Sequence, residues 1–283
     1  MGCVLLVVHQ HRDEALKLAH DAVAWLVSSG HQVRLPPEDA IVLGRGDLAV
    51  GDPATGRYDL VLSIGGDGTM LRAVDLVAAN DVPVLGIHVG QLGYLVETEP
   101  RDYVAAIEGF FAGSYEIEER MRLEVAVDGL PEGALGGAAL NEAVLEKTPL
   151  GHTVRLRVDI DGEYFTTYTA DGLIVATPTG STAYALSARA PIVAPSHRAL
   201  VLTPVAPHHL FDRTLVLRPS SEVRIELASY RPAKLFLDGR ELATLQEGMA
   251  VRATASPHPA RLVTFTRRNF LDILKTKFGL NDR

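Results

Sequence analysis

The chain has 283 residues, for which about two domains are expected, since a typical domain has roughly 150 residues. Its formal net charge of -8 argues against a nucleic-acid surface, which normally carries a basic patch. A single cysteine excludes an internal disulfide framework, and no apolar run approaches the roughly 20 residues of a membrane span, so we expect a cytoplasmic protein that does not bind membranes.

The first part of the chain alternates predicted strands with predicted helices. The predicted strands are the apolar runs 4–8, 32–35, 60–64 and 82–89. An amphipathic helix is predicted at 13–28, and a further helix at about 101–112. Residues 44–58 are polar and contain Gly and Pro, so we interpret them as a surface connector and not as a loop that closes over a site. This alternation predicts a doubly wound parallel sheet, in which ligands bind beyond the carboxyl ends of the strands.

A glycine-rich turn directly follows the third predicted strand. It reads Gly-Gly-Asp-Gly-Thr at 65–69 and leads into apolar residues at helical spacing, which predicts a strand, a tight turn and a helix. Its glycines permit positive φ and a close ligand, and the first N–H groups of the helix attract an anion such as phosphate. The turn lacks the lysine of a P-loop but carries Asp67, which suggests a Mg²⁺ ligand, a base for a hydroxyl, or both.

Taken alone, this turn can equally be structural, because Gly and Asp are common in the strand-to-helix turns of α/β proteins. A second glycine-containing turn, at 90–95, follows the next predicted strand. Both turns therefore lie at the carboxyl ends of predicted parallel strands, where a ligand site is expected.

From about residue 120 the pattern changes to short segments with alternating polarity. Asp-Gly pairs, which favour type I′ hairpins, occur at 128–129, 161–162, 171–172 and 238–239. This part is therefore predicted to be mainly antiparallel β. We expect an α/β domain at 1–119, a β-rich domain at 120–260, and a strand and helix at 261–283 that pack back on the first domain.

Two polar motifs in the second part suggest ligand chemistry. Asn141-Glu142 interrupts an apolar run; an amide beside a carboxylate can bind sugar hydroxyls or a base edge, although a simple turn explains the pair equally well. Thr-Pro-Thr-Gly-Ser-Thr-Ala-Tyr at 177–184 supplies hydroxyls, a glycine for close approach and a tyrosine that can stack on a planar ring, which suits a nucleoside. A helix cap rich in Ser and Thr is the structural alternative.

Taken together, the motifs at 65–69, 141–142 and 177–184 resemble the signature of the NAD kinases. Gly86, Pro191-Ile192 and Asp238-Gly239 add to the resemblance, which spans about residues 60–240. It implies transfer of a phosphoryl group from ATP, or from inorganic polyphosphate in some bacterial members, to the 2′-hydroxyl of the adenosine ribose of NAD. It also implies Mg²⁺ as cofactor and assembly as a homodimer or homotetramer. The β-rich domain would then bind the dinucleotide.

The resemblance implies roles for individual residues. Asp67 would be the catalytic carboxylate, and no residue is assigned as a dedicated metal ligand. The residues expected to bind NAD or the phosphoryl donor are Gly66, Gly68, Thr69, Arg72, Asn141, Glu142, Asp171, Thr179, Ser181, Thr182, Ala183, Tyr184 and Ala206. Of these, Glu142 and Asp171 would hold the nicotinamide riboside, and Ala206 would reach the dinucleotide of a neighbouring subunit. The adenosine part would be held by Asn141, Thr182, Ala183 and Tyr184.

Two departures from the family pattern stand out. The family usually has Gly-Gly before the Pro-Ile pair, whereas this chain has Arg189-Ala190, so the backbone or the packing there is expected to differ. Where many members have Gly-Ile-Asn, this chain has Gly-Ile-His, and we interpret His88 as a core histidine. For Arg72, an exposed ion pair is favoured over a ligand contact. A lipid or sugar kinase with the same glycine turn, and a dinucleotide-binding module without catalysis, are the alternative functions.

Overall fold

The computed structural model describes residues 1–77, 80–90, 93–96, 98–128, 136–148, 152–208, 210–265 and 270–280. They belong to two compact units: unit 1 is Met1–Glu119 with Ala260–Arg283, and unit 2 is Arg120–Pro259. Parts of three predicted features lie outside the described residues: positions 91–92 of the second glycine turn, position 129 of an Asp-Gly pair, and residues 266–269 and 281–283 of the tail. None of the helices in the described ranges has the length and hydropathy needed to cross a membrane.

The elements are numbered in chain order. The helices are α1 (Asp13–Ser28), α2 (Pro37–Val42), α3 (Asp67–Leu76), α4 (Tyr103–Phe111), α5 (Tyr184–Ser187) and α6 (Phe270–Phe278). The strands up to the middle of the chain are β1 (Cys3–Val8), β2 (Gln32–Arg34), β3 (Leu60–Gly65), β4 (Val84–His88), β5 (Glu116–Arg120), β6 (Leu123–Asp128), β7 (Gly136–Ala139), β8 (Glu142–Lys147) and β9 (Val154–Ile160). The remaining strands are β10 (Glu163–Ala170), β11 (Gly172–Ala176), β12 (Leu200–Val205), β13 (Leu215–Leu217), β14 (Val223–Leu227), β15 (Ala233–Leu237), β16 (Arg240–Leu245), β17 (Ala250–Ala255) and β18 (Ala260–Thr264).

Unit 1 is built on one six-stranded sheet in the order β2-β1-β3-β4-β18-β5. The strand pairs β2–β1, β1–β3, β3–β4 and β4–β18 are all parallel, in agreement with the predicted parallel sheet. Every residue of β3 is buried, which is typical of a central parallel strand covered on both faces. Helix α1 packs its small and apolar face on the sheet, with Ala15, Ala19 and Leu26 fully buried, and Gly30 follows it with a φ of 82°.

The predicted connector at 44–58 contains two short 3₁₀ turns, Gly46–Leu48 and Pro53–Thr55. Directly before it, the structure adds a helix that the periodicity did not predict, α2. Its six residues are too few to show an apolar period, and the available signal was Pro37, a residue favoured at the first position of a helix.

Unit 2 contains two antiparallel sheets of six strands each. Their orders are β10-β9-β14-β17-β6-β7 and β13-β12-β11-β8-β15-β16. Alternate residues of the strands face inward, and side chains from both sheets form one core that includes Leu123, Leu156, Val175 and Leu235. The prediction of an antiparallel β-rich second part is therefore confirmed.

The Asp-Gly pairs behave differently from one another. At 161–162 and 238–239 both residues have positive φ and each pair connects neighbouring antiparallel strands, as expected of a type I′ turn. The hairpin predicted at 171–172 is wrong. Gly172 is the first residue of β11, whose sheet does not contain β10, and a Cβ there would lie 2.7 Å from the carbonyl oxygen of Leu145. Close strand packing, not turn geometry, requires this glycine.

Candidate active site

The glycine turn of unit 1 joins β3 to α3, and the helix begins at Asp67 itself. The positive φ that its glycines permit is not used: Gly65, Gly66 and Gly68 are all outside that region, and the φ of Gly66 is -102°. A Cβ on Gly65 would collide with the side chain of Thr69, whereas a Cβ on Gly66 or Gly68 would meet nothing within 4 Å. Gly65 thus permits packing, and the other two leave the front of the turn open to a ligand.

The carboxylate of Asp67 is held by the second glycine turn. Its Oδ2 accepts the backbone N–H of Tyr94 at 2.7 Å and its Oδ1 that of Leu95 at 3.0 Å. A side chain at Gly93 would collide with the same carboxylate. The two glycine turns, predicted at the ends of two parallel strands, therefore meet at Asp67.

A cavity of about 490 Å³ lies in front of this turn. Its lining residues are Val8, His9, Gln10, His11, Arg12, Gly66, Asp67, Gly68, Thr69, Arg72, Gly93 and Lys277. Among these described residues Asp67 is the one carboxylate, while Arg12, Arg72 and Lys277 are cationic. Burial, and then the charge of Arg12, lower the pKa of His9, which favours its neutral form.

Segment 9–12 and Lys277 were not predicted as site residues. The segment follows the carboxyl end of β1, the neighbour of β3 in the parallel sheet, and this position was the signal that could have identified it. No such signal exists for Lys277, because it lies on α6, about two hundred residues away along the chain, and reaches the cavity only through folding.

Arg72 forms an ion pair, but not the exposed one that we expected. Its Nη2 lies 2.9 Å from the carboxylate of Asp39, which is 0% exposed. The same guanidinium lines the cavity, with 32% of the side chain exposed. The predicted ion pair therefore exists, but the prediction that it is exposed is wrong, because its acidic partner Asp39 is buried.

In unit 2, Asn141 lies in the turn between β7 and β8, and Glu142 is the first residue of β8. The carboxylate of Asp238 accepts the backbone N–H groups of Leu140 at 2.7 Å, Asn141 at 2.8 Å and Glu142 at 3.0 Å. Asp238 stands in the type I′ turn between β15 and β16, where its φ is 47°. One carboxylate therefore fixes the backbone of the Asn-Glu pair.

Glu142 is nearly inaccessible, with 7% of its surface exposed. Burial first, and the charge of Asp238 second, raise its pKa to about 8, against the opposing effect of the Tyr184 backbone N–H. Its Oε2 has no hydrogen-bond partner in the part of the chain that the structure describes. Glu142 is thus largely protonated at neutral pH and has hydrogen-bonding capacity left for a ligand.

The hydroxyls of the 177–184 segment mostly stabilise the segment itself. Thr177 Oγ1 donates to the carbonyl of Leu140 at 2.6 Å, and the fully buried Ser181 accepts the N–H of Val193 at 2.9 Å. Thr182 Oγ1 donates to the carbonyl of Thr179 at 3.1 Å. These contacts support the structural part of the interpretation, a hydroxyl-rich turn that precedes α5.

Gly180 does permit a close approach, although not the approach we expected. A Cβ there would collide with the main chain of Asn141, so the glycine lets the segment pack against the Asn-Glu turn. The two polar motifs of unit 2 are therefore in direct backbone contact, and the N–H of Thr177 donates to the carbonyl of Asn141 at 2.8 Å.

Tyr184 is 37% exposed and borders a second cavity of about 750 Å³ together with Ala206 and Arg189. Ala206 has a φ of 44°, a strained value for alanine.

Asp171 forms an ion pair of 2.7 Å with the ammonium of Lys147, and both side chains are about one-third exposed. Thr179 is buried at 6% exposure.

The two departures from the family pattern have structural explanations. His88 is 7% exposed, as expected of a core histidine, and its Nε2 has no hydrogen-bond partner within the described ranges. Arg189 has a φ of 67°, and the N–H groups of Arg189 and Ala190 bond back to Leu186 and Ala185, each at 2.9 Å. This is the helix closure in which glycine is usual, here built on arginine.

Comparison with known proteins agrees with the motifs. Residues 47–115 match the model of the ATP-NAD kinase N-terminal domain, and residues 140–265 match that of the ATP-NAD kinase C-terminal domain. The NAD kinase of Symbiobacterium thermophilum is 41% identical over 279 residues, covering 97% of this chain and 98% of that protein. The NAD kinase of Moorella thermoacetica is 38% identical over 273 residues, covering 96% and 88%.

Two solved structures have the same fold. The yeast NADH kinase complexed with NADH aligns with a TM-score of 0.91 at 26% identity, covering 100% of this chain and 89% of that one. An NAD kinase from Archaeoglobus fulgidus in complex with ATP aligns with a TM-score of 0.73 at 23% identity, covering 98% of each chain. The second likeness bears on the fold alone.

Proposed function

This chain belongs to the NAD kinase family, and we propose that it transfers a phosphoryl group from ATP to the 2′-hydroxyl of the adenosine ribose of NAD, giving NADP. One observation carries the proposal: a single carboxylate, Asp67, is held by backbone N–H groups in a cavity otherwise lined by main chain, polar and cationic groups. A full-length match to NAD kinases disfavours the lipid or sugar kinase alternative.

Unit 1 would bind the phosphoryl donor. Phosphoryl transfer needs positioning and charge neutralisation more than covalent help. The open front of Gly66 and Gly68 lets phosphate oxygens approach the N–H groups of Asp67 and Gly68, which are the first of α3 and have no preceding helix carbonyl to bond to. Arg12, Arg72 and Lys277 add positive charge around the same space. These groups suit a chain of phosphates, from ATP or from polyphosphate.

Asp67 would act on the attacking hydroxyl. Its two hydrogen bonds leave a lone pair on each oxygen, so the carboxylate can still accept the 2′-hydroxyl proton as a general base. Among the described residues, no cluster of three or more His, Cys, Asp or Glu could hold a metal. A single carboxylate together with donor phosphates nevertheless fits Mg²⁺, which usually keeps few protein ligands and would neutralise phosphate charge when bound.

Unit 2 would bind the dinucleotide. Asn141 and Tyr184 would hold the adenosine, with Thr182 and Ala183 beside them, and Glu142 and Asp171 would hold the nicotinamide riboside. The buried Thr179 and Ser181 would shape this site through the segment they stabilise. We also propose a cytoplasmic homodimer or homotetramer in which Ala206 reaches the dinucleotide of a neighbouring subunit.

An end-point assay tests the proposal by combining NAD or NADH with ATP or polyphosphate in the presence of Mg²⁺. We expect NADP from NAD and ATP, and no phosphorylation of diacylglycerol or fructose 6-phosphate. Calorimetric binding of NAD without any NADP formed from either donor would instead favour the non-catalytic module.

A further inference from the structure

A buried carboxylate stands behind the unit 1 cavity. Asp39, on α2, is 0% exposed and accepts hydrogen bonds from the backbone N–H of Val8 at 3.2 Å, from Gln10 Nε2 at 2.8 Å and from Arg72 Nη2 at 2.9 Å. Asp39 is not among the residues that line the cavity, whereas all three of its donors are. It therefore contacts the wall of the cavity from inside the protein.

Arg72 is held through one nitrogen only. Its Nη2 donates to both oxygens of Asp39 at 2.9 Å and to the carbonyl of Val8 at 2.7 Å. Within the described residues, Nε and Nη1 make no hydrogen bond, and the side chain is 32% exposed at the cavity. Arg72 thus has one end of its guanidinium fixed and the other end available.

The position of Arg72 on α3 places the available end of its guanidinium near the glycine turn. Side chains of a helix lean toward its N-terminus, so Arg72 reaches back over the first turn of α3, where Gly66 and Thr69 line the same cavity. An unanchored arginine loses considerable rotamer freedom when it binds a phosphate. An arginine that is already anchored avoids most of this loss and presents its remaining N–H groups in a fixed direction.

We propose that Asp39 is a positioning residue for the phosphoryl donor. It holds the guanidinium of Arg72 from the buried side so that Nε and Nη1 face a donor phosphate at the glycine turn. The inference rests on the proposed function of unit 1 as the donor site. The competing explanation is a purely structural ion pair that joins α2, β1 and α3.

Steady-state kinetics on Asp39→Asn, Arg72→Met and the double variant separate the two explanations. Asparagine keeps the shape of Asp39 but removes the charge that holds Arg72. We expect Asp39→Asn to raise the KM for ATP about tenfold or more while the KM for NAD stays within about twofold, as for a defect confined to donor positioning. In the Arg72→Met background, Asp39→Asn should add nothing further, because its effect passes through Arg72.

Asp159→Asn is the matched control. Asp159 is also nearly buried, at 8% exposure, and pairs with Arg157 and Arg224, but it lies in unit 2, outside the residues that line either described cavity. An equal rise in the KM for ATP in this control would overturn the proposal. So would an unchanged KM for ATP in a folded Asp39→Asn, or an effect that adds in full to that of Arg72→Met.

Chemical rescue covers the case in which Asp39→Asn does not fold. Removing both partners of a buried ion pair is often tolerated, so Arg72→Ala and Asp39→Asn/Arg72→Ala can be compared. Free guanidinium, added below denaturing concentrations, should restore ATP turnover only where Asp39 is present to hold it. Equal rescue in both variants, or rescue in neither, contradicts the role of Asp39. A wild-type protein that forms no NADP would instead refute the proposed function itself.

Discussion

Asp67 and Tyr94 are joined by a hydrogen bond of 2.7 Å, in which the backbone N–H of Tyr94 donates to the carboxylate of Asp67. Leu95 donates to the other oxygen at 3.0 Å. Because backbone groups make both contacts, the direction of the carboxylate is set by the two turns that follow β3 and β4. The catalytic role proposed for Asp67 can therefore be tested with little disturbance of its surroundings.

Asp67→Asn should retain the fold and lower kcat by roughly 10² to 10⁴, the usual contribution of a general base. An amide offers a single oxygen, so one of the two N–H groups loses its acceptor and the free energy of unfolding should fall by about 1 kcal/mol. Initial rates and urea unfolding measure the two effects. Asp21→Asn, an exposed carboxylate on α1, is the control. Undiminished turnover in Asp67→Asn would remove this residue from catalysis.

Two glycine substitutions should separate a ligand-facing glycine from a packing glycine. In Gly66→Ala the methyl group enters open space on an extended backbone, so the thermal midpoint should change little while the KM for ATP rises. In Gly180→Ala the methyl group collides with the main chain of Asn141, which should cost about 1–3 kcal/mol or more of stability. Calorimetry and kinetics on both variants provide the comparison. A normal KM for ATP in Gly66→Ala would contradict a donor at this turn.

Glu142 should make the stability of the ligand-free protein depend on pH. Its pKa is raised from 4.5 to about 8, so the folded state binds more protons than the unfolded state between these values. The stabilising contribution is fully present below about pH 4.5 and is lost as pH rises toward 8, by an amount on the order of a few kcal/mol. Urea unfolding across this range should show a steeper decline for the wild type than for Glu142→Gln. Parallel profiles would argue against a buried, protonated Glu142.

Arg189→Gly should stabilise the protein. A left-handed conformation costs a non-glycine residue roughly 1–2 kcal/mol, and glycine removes this cost. Glycine also loses more backbone entropy on folding, which costs roughly 0.5–1 kcal/mol. The free energy of unfolding is therefore expected to rise by about 0.5–1 kcal/mol. The neighbouring Ala188, whose φ is -85°, supplies the contrast, because Ala188→Gly should lower stability. Thermal midpoints measure both changes. A loss of stability in Arg189→Gly would mean that the arginine side chain contributes more than its backbone strain costs.

Much of the fold could be predicted from local pattern. The period of α1 and the apolar run of β3 follow directly from which side chains face the core, and the glycine and Asp-Gly turns follow from the few residues that tolerate such bends. The short helix α2 could not be found in this way, because six residues, fewer than two helical turns, show no measurable period. The Asp-Gly pair at 171–172 misled because glycine is also used for close packing.

Contacts between residues far apart in the chain determine which motifs of each unit lie together. Asp238 contacts Asn141 across 97 positions of the chain, and Arg72 contacts Asp39 across 33. Such contacts depend on strand pairing and on helix placement, and neither leaves a trace in the residues immediately around them. Residue types along the chain were therefore enough to indicate the chemistry and the family. The direction of each reactive group, and the buried partner that holds it, followed only from the folded arrangement, because hydrogen bonds need both atoms within about 3 Å of each other.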